Sequence, residues 1–247
     1  MRGSARAVVL SIALLGVGVF TGVWAVLWLL RGSYLTALIV CGVTVWAVGF
    51  ATYFLATTVG KAKPRLESGS AGTILRPGRF VDAAFVLATG TVFVAAVLYL
   101  IFAPLGMVDY VPTGVMQLAV PGGCVALVLF GAPTLYRMAR HGGGGHLRVD
   151  PAGFEVWNGQ WGTLRRGTWD EIEDITDHPA KGGKPFNEVI VFALPKGRTA
   201  VLIADAITGD VAALREWVRF YWRHPQHRDE LGDGRALQRL GQGCVAE

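Results

Sequence analysis

HGGGGHLRVDPAGFEVW, residues 141–157, is where this 247-residue chain changes period. Four glycines in a row read as a flexible linker over residues 141–145. Beyond them His146–Asp150 alternates polar and apolar residues, Pro151-Ala152-Gly153 turns the chain, and Phe154–Trp157 alternates again. A repeat of two on either side of a turn is the mark of a β-hairpin. The glycine run is no phosphate loop, because no Lys-Ser pair follows it and it leads into a strand instead of a helix.

Upstream the chain is of another kind. Ala7–Leu30 contains no charge, and at about 1.5 Å per residue it crosses a hydrocarbon core of about 30 Å with some excess for tilt. Arg31-Gly32-Ser33 separates it from a second run over residues 34–59, and two more follow over 81–103 and 115–136. The first run is too long for a secretory signal and lacks a small-residue cleavage site, so it reads as a retained span. Pro121-Gly122-Gly123 and Pro133 predict a kink or an unwound turn in the fourth. Gly18 and Gly22 have the spacing of a small-residue packing seam, and Thr44, Thr52, Thr57 and Gln117 are placed to bond between helices.

The chain is 52% hydrophobic and 17% charged, too apolar for an average soluble domain. Its net charge of +5 reports topology, not nucleic acid. Up to residue 140 ten Lys/Arg face only Glu67, Asp82 and Asp109, whereas beyond it thirteen basic residues face fifteen acidic ones. Nine of these cations sit at Arg2 and Arg6, between Lys61 and Arg79, and at Arg137 and Arg140, and only Arg31 falls in one of the other connections. Alternate loops are therefore basic, which predicts four spans in the cytoplasmic membrane with both termini in the cytoplasm. Cys41 and Cys124 fall in apolar runs and Cys244 lies near the end, so no disulfide framework is expected.

Downstream, strands are expected over 163–169, 188–194 and 199–205, then an amphipathic helix over 210–223 capped by Thr208 or Asp210. The spacing Leu147-x-Val149-x-x-x-Gly153-Phe154, then Trp169-x-x-Ile172-x-x-Ile175, then Trp217 on a terminal helix resembles the bacterial pleckstrin-homology-like (PH-like) domain over residues 146–223. The resemblance implies a small antiparallel β-barrel capped by an α-helix, beside an α-helical four-span membrane bundle. It also implies that Trp169, Ile172 and Ile175 point inward, leaving Asp170, Glu171, Glu173 and Asp174 to water. Phosphoinositide-binding members carry several basic residues at the first hairpin, where this chain has only Arg148.

The expected function is non-enzymatic: a cytoplasmic domain for contact with anionic lipid headgroups or another membrane protein, with no cofactor and no metal. Candidate contacts are Arg165 and Arg166, Lys181 and Lys184 in a glycine-rich loop, and Arg215, Arg219 and Arg223 at helical spacing. The stripe on the helix reads first as a solubilising face. A small transporter or channel is the alternative, with Asp82 and the Pro121-Gly122-Gly123 break as working parts. Asp82 also reads as an interfacial carboxylate in the first turn of a helix. The polar tail, 224–247, holds His224 and His227 as helix-end residues. Residues 235–240 read as a short helix that docks elsewhere in the chain, while the glycines around it argue for fraying or for order that depends on a partner.

Overall fold

The computed structural model describes residues 2–58, 62–70, 72–179 and 187–241. In chain order these form α1 (Arg2–Leu30), α2 (Tyr34–Thr58), β1 (Arg65–Gly69), β2 (Gly72–Arg76), α3 (Arg79–Phe102) and α4 (Met116–His141). There follow β3 (Gly145–Val149), β4 (Gly153–Asn158), β5 (Thr163–Thr168), β6 (Asp174–Thr176), β7 (Val189–Leu194) and β8 (Arg198–Ile203). The chain closes with α5 (Val211–Arg223), a 3-10 segment over Pro225–Gly232 and α6 (Arg235–Gly241). Two compact units result: Ala5–Leu55 with Ala83–Gly142, and Ala56–Asp82 with the chain from Gly143 onward.

The first unit is a helix bundle. All four of its helices are long and apolar enough to cross a bilayer, the makeup of a multi-pass membrane protein. Backbones approach closely where side chains vanish: a Cβ on Gly42 would lie 2.8 Å from that of Ala95, and one on Gly49 2.8 Å from that of Ala88. Such seams let dispersion act between helices that gain nothing from excluding water. Thr44 donates to Thr21 at 3.0 Å across the α1–α2 seam, whereas Thr52 bonds back to Val48 of its own helix. The expected unwound turn at Pro121 is absent, and α4 continues through both prolines. Each proline removes one backbone bond, and Thr134 back-bonds to the Phe130 carbonyl at 2.8 Å.

The second unit is built on two antiparallel sheets, ordered β1-β2-β3-β4-β5 and β6-β7-β8. Its first two strands come from between α2 and α3, a segment expected to be only a basic loop. β2 pairs with β3 in the register Thr73↔Val149 and Leu75↔Leu147. The expected closed barrel does not form among the described residues. The 3-10 turn Trp169–Glu171 parts β5 from β6, and the two sheets instead pack face to face, with β8 against β3, β4 and β5. Phe154 and Phe192 stack between the sheets at 4.7 Å, and Leu75, Val156, Ile190 and Leu202 fill the layer around them. α5 covers this core with Val211, Leu214, Trp217, Val218 and Tyr221, one apolar stripe at helical spacing. Asp210 caps it by accepting the Ala213 N–H at 2.9 Å.

Of the alternatives for the tail, the docked helix is the one that forms, and the chain is packed as far as Gly241. Leu231 and Ala236 are fully buried in the core, Thr73 donates to the Leu231 carbonyl at 2.8 Å, and the Trp217 indole donates to the Ala236 carbonyl at 2.8 Å.

Candidate functional site

The residues that precede β3 make specific backbone hydrogen bonds. Gly142 ends α4 in the left-handed conformation, returning its N–H to the Met138 carbonyl. Gly143 accepts the Trp157 indole N–H at 2.9 Å, and Gly144 donates to Asp82 Oδ1 at 2.6 Å and accepts the Gly159 N–H at 2.8 Å. Gly143 has φ +129, and a Cβ there would run into the Asp82 carboxylate. Asp82 thus anchors the chain entering β3 from the first turn of α3.

Strand register then assembles a polar face that the sequence did not announce. Glu67, Ile74, Arg148, Glu155 and Arg166 stand opposite one another across all five strands. Arg65 and Arg76 stand two positions further along the same face, as alternation requires. Four arginines thus meet two glutamates. Glu155 hydrogen-bonds His146 Nε2 at 2.8 Å and is bound by Arg166, while Arg65 lies 3.3 Å from Glu67. Burial works to raise the Glu155 carboxyl, but the hydrogen bonds from His146 and Arg166 outweigh it and hold it below its ordinary value. Arg65 and Arg76 had counted only as loop charges. The signal for them was the period-two spacing Arg65-x-Glu67 and Ile74-x-Arg76.

The expected contact residues divide. Arg165 and Arg166 are both exposed but point to opposite faces of β5, Arg165 beside Val156 and Arg166 beside Glu155, so they do not act as a pair. Lys181 and Lys184 lie outside the described residues. In the helical stripe, Arg219 donates from Nε to the Ile175 carbonyl at 3.1 Å and from Nη1 to Glu216 at 2.8 Å. Arg215 lies 3.5 Å from Asp177. These two tie α5 to β6 and the turn after it. Arg223 is exposed, its guanidinium 6.0 Å from the Trp222 ring.

In Gly167–Ile175, Trp169, Ile172 and Ile175 are buried and their acidic neighbours face outward or to the margin. Glu171 accepts the Thr168 N–H at 3.0 Å, a capping box on the 3-10 turn, and Asp174 accepts the Ile175 N–H at 2.7 Å. The described residues contain no cluster of three or more His, Cys, Asp or Glu able to hold a metal.

A second charged cluster holds the tail. Glu230 receives Arg239 through both oxygens at 3.0 and 3.1 Å, the Tyr221 hydroxyl at 3.0 Å and His227 at 3.0 Å. Arg239 foremost holds the Glu230 carboxyl low, and burial pushes the Tyr221 hydroxyl up. Arg228 donates to the Tyr221 and Trp222 carbonyls, closing the end of α5.

No protein-family model matches this chain, and neither a curated protein nor a solved structure does.

Proposed function

We propose that this protein is a non-enzymatic, four-span membrane protein whose PH-like domain, on the cytoplasmic face, contacts anionic lipid headgroups. The observation that carries the reading is the pairing of β2 with β3. β2 precedes α3 and β3 follows α4, so their pairing requires an even number of crossings between them. Both polar segments then share one side, and the basic residues flanking them support the cytoplasmic one under the positive-inside rule. The PH-like assignment draws on the quoted spacings and on sheets packed face to face under a terminal helix.

The excess of arginine on the face of the five-stranded sheet supports the choice of headgroups, at about 1 kcal/mol per cation near an anionic surface. The transporter reading leaned on Asp82, whose carboxylate holds the Gly144 N–H.

The test uses the full chain in nanodiscs of neutral lipid, or of neutral lipid with a third acidic lipid. Acidic lipid should slow amide exchange in β3–β5 at low salt, high salt should reverse the effect, and Arg148→Gln with Arg166→Gln should abolish it. Exchange indifferent to lipid charge and salt removes the lipid role. Protection that appears only with a co-purifying protein assigns the face to that partner.

A further inference from the structure

The sheet unit has one end from which its chain departs toward the apolar helices. β1 begins at Arg65 shortly after α2, β2 ends at Arg76 shortly before α3, and β3 begins at Gly145 shortly after α4. Register brings these three strand ends together, through Arg65↔Arg76 and Leu75↔Leu147. The turn between β4 and β5, residues 159–162, belongs to the same end, because Gly159 donates to the Gly144 carbonyl. It is held in shape by Asn158, whose buried side chain accepts the Gln160 and Trp161 N–H groups at 3.1 and 3.3 Å and donates to the Val201 carbonyl.

Such a pinned turn presents Trp161 at 61% exposure, in a unit that buries Trp157, Trp169 and Trp217 to 1% or less. Phe80, in the first turn of α3, is exposed at 69%. These two are the most exposed large apolar side chains among the described residues of the unit, and both lie at the end from which the helices depart. Lys63 and Arg79 are exposed at that end as well. Indole and phenyl rings beside cations are the chemistry of the headgroup boundary, where an amphipathic ring rests its apolar body in the acyl region and leaves its N–H wet.

We infer that Trp161 is a membrane-interface anchor: the β4–β5 turn inserts its indole into the bilayer that the protein's own helices cross, beside Phe80. The inference rests on the membrane-anchored placement proposed above but not on lipid charge, since the driving force is burial of the ring. The turn at Pro151-Ala152, at the other end of β3 and β4, stays in water.

Eight tryptophans make intrinsic fluorescence ambiguous, so a label reports instead. In a full chain carrying Cys41→Ser, Cys124→Ser and Cys244→Ser, an environment-sensitive fluorophore is placed at Gln160→Cys or, as the distal control, at Ala152→Cys. In vesicles of phosphatidylcholine with doxyl-labelled lipid, the label at 160 should emit to the blue and be quenched, and the label at 152 should not. Adding Trp161→Ala should lose most of the quenching at 160; this exposed side chain can be removed without touching the core. Three results would overturn the inference: no quenching at 160, quenching unchanged by Trp161→Ala, or equal quenching at 152. Quenching at 160 that requires acidic lipid overturns it too, because charge and not the ring would then hold the turn down. If the headgroup role alone fails, quenching at 160 persists in neutral lipid while exchange in β3–β5 ignores lipid charge.

Discussion

Gly143 and Asp82 show how one side chain can fix the backbone that enters a strand. A backbone at φ +129 is strained for any L side chain, and here the added Cβ would also meet the carboxylate that receives the Gly144 N–H. Gly143→Ala should therefore destabilise the sheet unit by about 1–3 kcal/mol, read as a lower unfolding midpoint of the detergent-solubilised chain. Asp82→Asn keeps an acceptor for Gly144 and should do little, whereas Asp82→Ala should cost about 1.5–3 kcal/mol. A solute pathway through Asp82 would be read in flux instead, where the asparagine variant should be as damaging as the alanine. Two other carboxyls give opposite pH dependences. Burial raises Asp205 to about 6 despite hydrogen bonds from the Glu188 backbone and Asn187. The folded protein thus holds that proton more tightly, and the stability from it is complete below the ordinary value of 3.8 and lost as pH rises through about 6. Glu230 is held low, so its contribution is present above 4.5 and lost as pH falls through its depressed value. Between pH 4 and pH 6, Asp205→Asn should flatten a falling component of the unfolding midpoint, and Glu230→Gln should reduce the loss on the acid side. Midpoints that shift equally at every pH would contradict both assignments.

The docking of the tail shows what a buried charge does for an element. Glu230 is 8% exposed and is met by a guanidinium, a phenol and an imidazole. Glu230→Ala should cost about 3–5 kcal/mol because it strands Arg239 against the Phe220 ring, 4.3 Å away. Glu230→Leu combined with Arg239→Leu should cost less than either single change, since the desolvation of both charges disappears together; a double-mutant cycle on unfolding midpoints measures this. In HRDELGDGRALQRL a short docking helix was legible over 235–240, but not where it docks, since its apolar content is slight and the partners Tyr221 and Thr73 belong to other elements. The same reason hid β1 and β2. β1 is an edge strand open to solvent on most positions, so it has no buried stripe to betray it, and β2 finds its partner beyond two whole helices. The spans were legible because about twenty uncharged residues in succession admit few other readings, and β7 because VIVFAL is apolar throughout. Of the contact residues, Arg166 lies on the assembled polar face. Arg215 and Arg219 turned inward because helical spacing cannot tell a solvated stripe from one that meets the Ile175 carbonyl.

At the scale of the whole molecule, the sheet unit depends on two segments that α3 and α4 separate in the chain. A fragment beginning at Gly143 lacks β1 and β2. It should leave the β3 edge open and Leu75 missing from the core, giving a protein that aggregates or exchanges its β3 amides rapidly. Joining residues 62–78 to its N-terminus by a short glycine-serine linker should restore slow exchange. Recovery of slow β3 exchange without the hairpin would show the pairing to be dispensable. Orientation follows from the same dependence. Since β2 and β3 must share a side, cysteines placed in the hairpin at Ser68 and in the β3–β4 turn at Ala152 must respond alike to a membrane-impermeant maleimide. Under the orientation proposed above, both should be silent in intact cells and react after permeabilisation. A reactive pair in intact cells would invert the topology but leave the fold standing. A split response would be more severe, since one site labelled and the other protected would place a bilayer between two hydrogen-bonded strands and dissolve the sheet itself.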